Sequence, residues 1–304
     1  MIKNITFGTR GSPLAMVQTN TVISKLKKIY PSIIYKYKII ETLGDKDQHS
    51  SLTLTEHLGL FATEIQSSLI KGEIDVAVHS LKDLPIDHLK ELKIAAIPDR
   101  EDPSDILYHP NGLSINDLPS GSIVGTCSLR RTGQLKNLRS DLIIKDIRGN
   151  VETRMKKVHS SKYDAIVLAA AGLIRLKYDI TKYYKFSFDE ILPAPGQGAL
   201  AVEIRKNNEK LEQFLTKIDN IKIRESIDVE RGILSHIGGG CSVPVGAITS
   251  VDSLNTMACI VDPENGKKKF VQEEKWSGKG NELAKVISTR LLSNGGNQII
   301  RKYN

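Results

Sequence analysis

The sequence predicts an α/β fold of two similar units followed by a smaller α+β unit, and three observations carry that expectation. Short β-branched runs alternate with amphipathic helical patterns through the first two thirds of the 304 residues. Two proline-rich segments, Pro98-Asp-Arg-Glu-Asp-Pro103 and Leu192-Pro-Ala-Pro-Gly-Gln-Gly198, interrupt the alternation. After Asn208 two helical stretches precede a group of strands, so the elements no longer alternate.

In order, Ile2–Thr9 reads as a strand and Pro13 to about Ile29 as a helix with apolar positions at Leu14, Val17, Ile23 and Leu26. A strand at 35–42, a helix at about 60–71 and strands at 74–79 and 92–97 complete the first unit. The second runs as strand 122–127, helix 129–139, strand 142–147, helix 151–159 and strand 165–169. The strand 199–204 follows the second break, then helices at about 208–218 and 221–237. Strands at 245–249 and 257–261, a turn at Asn265-Gly266, a strand at 270–276 and a helix at about 282–293 close the chain.

Composition excludes several classes. The start of the chain has no apolar signal core, and no window approaches the ~18–20 apolar residues of a membrane helix, so a cytoplasmic protein is expected. Three cysteines, odd in number and without a C-x-x-C pair, argue against a disulfide framework and a zinc site. The net charge of +8 fits a lysine-rich surface, a nucleic acid or an acidic small molecule. No nucleic-acid motif occurs and aromatics are 5%, which leaves the placement of the arginines to decide.

That placement repeats. Thr9-Arg10-Gly11-Ser12-Pro13, Gly125-Thr126-Cys127-Ser128-Leu129-Arg130-Arg131 and Arg148-Gly149-Asn150, with Arg154 one turn on, each fall where a strand gives way to a helix. Ser12, Ser128 and Asn150 suit N-caps, and Pro13 suits the first helical position. Helix N-termini favour anions and arginine adds a bidentate fork. Any one junction alone reads as ordinary capping; three at the ligand-binding ends of strands predict a ligand with several negative groups. No P-loop or G-x-G-x-x-G occurs.

Two further residues stand out. Asp83, in His79-Ser-Leu-Lys82-Asp83-Leu-Pro85, is a strand-end carboxylate suited to stabilising positive charge on a substrate. Cys241 follows Gly238-Gly-Gly and precedes Ser242-Val-Pro244; the glycines suit a helix C-cap or an exposed thiol with room for a bulky group. Only His236 stands near enough in sequence to lower its pKa, which is weak support for simple nucleophilic catalysis.

Taken together, His79–Pro85, Gly125–Arg131, Arg148–Asn150, Pro195-Gly-Gln-Gly-Ala199 and Gly239-Gly-Cys-Ser-Val-Pro244 resemble the porphobilinogen deaminases, in order and over nearly the whole chain. The resemblance implies two periplasmic-binding-protein-like α/β domains and a smaller α+β C-terminal domain. With the breaks above, these are 1–98 plus 199–217, 103–192 and 220–304. It implies a cytoplasmic, monomeric transferase that condenses four porphobilinogen molecules, each losing ammonia, into hydroxymethylbilane for tetrapyrrole and heme biosynthesis. No nucleic acid, membrane or metal enters.

It further implies a dipyrromethane cofactor joined by a thioether to Cys241. Lys82, Asp83, Thr126, Ser128, Arg130, Arg131, Arg148 and Gly149 match its binding residues. Arg10, Ser12, Arg148, Arg154 and Gln197 match substrate contacts, and Asp83 matches the carboxylate that stabilises the cation left by ammonia loss. Leu58 and Leu54 stand where the family usually has lysine, and Cys127 stands where serine is common. The rival class is a non-enzymatic, two-lobed carboxylate-binding protein, which would give Cys241 no role.

Overall fold

The structure, a computed structural model, describes residues 2–42, 62–87, 89–160, 162–238, 243–274 and 276–303. Contacts divide the chain into two units. Unit 1 comprises Met1–Arg100 and Ala199–Arg224, and unit 2 comprises Glu101–Gly198 and Glu225–Asn304.

The strands of the described residues are β1 (Asn4–Thr9), β2 (Ile34–Ile39), β3 (Val76–Ser80), β4 (Leu92–Ala96), β5 (Asp105–Tyr108), β6 (Ile123–Gly125) and β7 (Ile143–Lys145). They continue with β8 (Ala165–Ala169), β9 (Tyr184–Lys185), β10 (Leu200–Arg205), β11 (Val245–Thr249), β12 (Thr256–Val261) and β13 (Lys268–Glu273). Unit 1 holds a five-stranded sheet in the order β2-β1-β3-β10-β4. Unit 2 holds a second sheet in the order β7-β6-β8-β5-β9 and a three-stranded sheet β11-β12-β13. The mixed α/β class with a smaller C-terminal sheet is the one the sequence predicts.

The two larger sheets share one topology. In each, one strand, β1 or β6, lies between two parallel neighbours (β2 and β3, or β7 and β8), and the next position, beside β3 or β8, is taken by an antiparallel strand. That strand is β10 in unit 1 and β5 in unit 2. Both follow a proline-rich break, so in each sheet the antiparallel strand comes from outside the local βαβ run.

Burial follows position. β3, between two neighbours, reads Val76-Ala-Val-His-Ser80 and is buried except at its end. β2 lies at the edge and is largely exposed, and Lys36 and Lys38 on it discourage pairing with another chain. The Pro13–Ile29 helix sets Val22, Ile23 and Leu26 against Ile5, Phe7 and Val76 in the unit 1 core. Truncating one of these to alanine costs about 2–5 kcal/mol.

Several short elements escape the sequence pattern, among them β5, β9 and the helices Ala170–Arg175 and Asn297–Ile300. All are six residues or shorter, less than the periodicity needs to show itself. β13 begins at Lys268 rather than at 270, because its ladder with β12 starts at Val261↔Lys268 and an outer strand accommodates lysines.

Candidate active site

In unit 1 the chain leaves β1 at Thr9 and enters the Pro13–Ile29 helix at once. Ser12 adopts extended φ/ψ (−69°, 145°), and its Oγ accepts a hydrogen bond from Ala15 N at 3.3 Å, as an N-cap should. Arg10 is thereby fixed on the turn between strand and helix. β3 ends in a one-turn 3-10 helix, Leu81–Asp83, held by Leu81 N donating to Ala199 O at 3.0 Å and Leu84 N donating to Leu81 O at 3.1 Å. The buried Leu81 and Leu84 anchor the turn, which leaves Lys82 half-buried and Asp83 exposed.

These residues meet. Arg10, Ser12, Gln18, His79, Ser80 and Asp83 line one pocket of about 100 Å³. Gln18 Nε2 donates to Ser80 Oγ at 2.7 Å across it. The Asp83 carboxylate takes no hydrogen bond and no ion pair from the described residues, so a charged acceptor stands ready in a pocket that also holds an arginine. A second cavity of about 400 Å³, beside Ile70, Lys90 and Arg205, contains none of the candidate residues.

In unit 2 the turn after β6 is built the same way. Thr126 Oγ1 accepts from Ser128 N at 3.2 Å, and Ser128 caps the Leu129–Leu138 helix by accepting from Arg131 N. Arg130 and Arg131 do not project into solvent from this helix. Both are buried, and both reach the wholly buried Asp105: Arg130 Nη1 to Oδ2 at 2.8 Å, Arg131 Nη2 to Oδ1 at 2.6 Å. Their other contacts are carbonyls, Leu192 O at 2.6 Å for Arg130 and Val167 O at 3.0 Å for Arg131.

Desolvation pulls the Arg130 guanidinium below its ordinary pKa, against the pull of Asp105. The Nε atoms of both arginines are buried without a hydrogen-bond partner. Gln197 is also fully buried, and its Nε2 donates to Pro103 O at 2.6 Å and to Asp105 Oδ1 at 2.9 Å.

The third junction is more open. Asn150 caps the Val151–His159 helix by accepting from Thr153 N at 2.8 Å. Gly149 sits at φ +116°, where a Cβ would stand 2.7 Å from Thr153 Cγ2, so only glycine fits. Arg154 Nε donates to Gly149 O at 2.7 Å and Lys157 Nζ to Arg148 O at 2.9 Å, which leaves both arginines half-buried beside the cap.

Two family descriptions match the chain: "Porphobilinogen deaminase, dipyromethane cofactor binding domain" over residues 5–213 and "Porphobilinogen deaminase, C-terminal domain" over residues 224–293. The chain belongs to the porphobilinogen deaminase family. Porphobilinogen deaminase of Shouchella clausii is 42% identical across 99% of this chain and 97% of its own. That of Thermus thermophilus is 39% identical across 97% of this chain and 98% of its own. Among solved structures, the methionine-binding protein MetQ is 11% identical with a TM-score of 0.46, covering 78% of this chain and 96% of that one.

A porphobilinogen deaminase carries a dipyrromethane cofactor domain, and residues present here suit such a group. Two buried guanidinium Nε–H donors without acceptors fit a ligand bearing carboxylates. Cys241, the residue expected to anchor it, lies outside the described residues, as do Leu54 and Leu58. The other two cysteines are committed elsewhere. Cys127 Sγ donates to Ile147 O at 2.9 Å and desolvation raises its pKa, while Cys259 is buried and its thiol is raised likewise.

Sequence reading missed Asp105 and Glu203. Each is a fully buried carboxylate on an antiparallel strand, and a lone acidic residue in a short apolar run gives no sign of the partner it will meet. Among the described residues no helix is long and apolar enough to cross a membrane.

Proposed function

We propose that Asp83, with Arg10 and Ser12 beside it, is the reacting centre of this porphobilinogen deaminase, and that the unit 2 junctions hold carboxylates. The chain is a transferase that condenses four porphobilinogen molecules, with loss of ammonia, into the linear hydroxymethylbilane. The observation that carries the Asp83 reading is its carboxylate, without a partner among the described residues, in one pocket with Arg10.

In each condensation the aminomethyl C–N bond breaks with its electron pair going to nitrogen, and the ring methylene becomes cationic. A carboxylate already in place opposite that charge stabilises it without reorganising solvent, an effect worth about 10²–10³ in rate. The new C–C bond forms at the α-carbon of the terminal pyrrole, which gives up a proton, while the departing nitrogen leaves as ammonia. Each added unit brings an acetate and a propionate. Arg10 and Ser12, and separately Arg148 and Arg154, take these as charged and neutral donors.

Lys82, Asp83, Thr126, Ser128, Arg130, Arg131, Arg148 and Gly149 would hold the dipyrromethane, which when bound supplies the free α-carbon for the first addition. The unpartnered Nε atoms of Arg130 and Arg131 support this share. Gln197, tied to Asp105, supports the arginine pair in place rather than meeting substrate itself. Cys241 would carry the group through a thioether, formed once. A three-domain partition, with β11–β13 in the third, a monomeric state and a cytoplasmic location complete the reading.

Intact mass tests it. Purified protein should carry the added mass of two condensed pyrrole units, and Cys241→Ser should lack it; active protein of unmodified mass would refute the attachment.

A further inference from the structure

His79 is a titratable residue of that pocket to which the reading above gives no work. It stands on β3, four residues before Asp83, and the antiparallel ladder sets Ala201 of β10 opposite it. Glu203 is two positions further along β10, on the same face, where side chains meet diagonally. His79 Nε2 lies 3.1 Å from Glu203 Oε2, and Gln66 Nε2 donates to both Glu203 oxygens at 3.0 and 3.2 Å. Glu203 is wholly buried, Gln66 and His79 nearly so.

The clamp fixes the tautomer. An ionised carboxylate only accepts, and the Gln66 amide already donates to it, so the hydrogen of the imidazole sits on Nε2. Nδ1 makes no hydrogen bond with the described residues, and the ring lines the pocket that holds Arg10 and Asp83. A histidine whose back nitrogen is held by a buried carboxylate, with its other nitrogen free beside a reacting site, is the arrangement that moves protons.

We infer that His79 is the proton carrier of the condensation, an inference that rests on Asp83's pocket being where ammonia is lost. When the new C–C bond has formed, the α-carbon of the attacked pyrrole sheds its hydrogen as a proton and the C–H pair restores the aromatic ring. Nδ1 takes that proton and gives it to the next aminomethyl nitrogen as its C–N bond breaks. One proton leaves carbon and one leaves with ammonia in each cycle, so no outside acid or base is consumed. Glu203 and Gln66 are positioning residues that keep Nδ1 as the nitrogen on offer.

The test is steady-state kinetics on full-length protein whose intact mass shows the cofactor, comparing wild type, His79→Gln, Glu203→Gln and Asp83→Ala. His79→Gln should keep the cofactor mass and KM while kcat falls about 10²-fold. A wild-type kcat, or a loss carried by KM alone, overturns the inference. Should His79→Gln not fold, Glu203→Gln decides. With the carboxylate replaced, ¹⁵N histidine spectra should show mixed tautomers at His79 and kcat should fall about tenfold. An unchanged tautomer with unchanged kcat overturns the clamp and the relay together. A slow His79→Gln beside a fully active Asp83→Ala would refute the Asp83 reading alone; the reverse pattern would refute His79 alone.

Discussion

Arg131 meets Asp105 out of reach of water: Nη2 is 2.6 Å from Oδ1, with side chains 8% and 0% exposed. The other oxygen of that carboxylate, Oδ2, is 2.8 Å from Arg130, and Gln197 Nε2 donates to Oδ1 at 2.9 Å. One anion therefore compensates two buried cations. Asp105→Ala would strand both, and breaking a buried pair by removing one partner costs about 3–5 kcal/mol. Urea unfolding should show that loss. Asp105→Asn, which keeps the shape and one acceptor, should be milder, and in both variants the protein should be purified with less cofactor mass.

Gly149 gives a sharper local prediction. At φ +116° and with Thr153 in the way, an alanine there is both strained and crowded. A non-glycine residue forced into sparsely populated backbone costs about 1–3 kcal/mol. The strand-to-helix turn would have to shift, and it carries Arg148 and receives Arg154 Nε on Gly149 O. Gly149→Ala should fold with a lowered denaturation midpoint and raise KM for porphobilinogen. Unchanged KM would show that this turn does not hold substrate carboxylates.

Acid sensitivity should report on Asp102, in the first proline-rich break. Desolvation raises its pKa, but hydrogen bonds from Ser104, including Ser104 N at 2.9 Å, and the Lys185 ammonium at 3.2 Å outweigh it and leave it below the ordinary value. A depressed folded-state pKa stabilises above the unfolded value and loses that contribution as pH falls through the folded value. Stability should therefore decline below about pH 4, the unperturbed aspartate range. Asp102→Asn should show less of that decline when urea midpoints at neutral and acid pH are compared.

The sequence made the repeated strand-to-helix recipe legible because capping is local chemistry. Ser12, Ser128 and Asn150 all cap the helices that follow them, within three residues of their partners. What it could not show is where long side chains go. Arg130 and Arg131 read as forks for a ligand's anionic groups, yet the protein's own carboxylate that draws them inward lies about 25 positions away on a four-residue strand. His79 and Glu203 are separated by 124 residues and meet only because β10 returns to the first sheet. Nothing in either segment by itself announces the pairing.

Asp83 tests whether the pocket is a reacting centre or only a carboxylate holder. Its turn is anchored by Leu81 and Leu84 rather than by its own side chain, so Asp83→Ala should leave stability within ~0.5 kcal/mol of wild type. If the carboxylate stabilises a developing cation, removing it should lower kcat about 10²–10³-fold while cofactor mass persists. Asp83→Asn should fare little better, because it keeps the shape but not the charge. Asp83→Glu keeps the charge on a longer arm and should recover part of the rate. Turnover that follows shape instead of charge, with Asn better than Glu, would assign Asp83 to hydrogen-bonding alone and move the cation's stabiliser elsewhere.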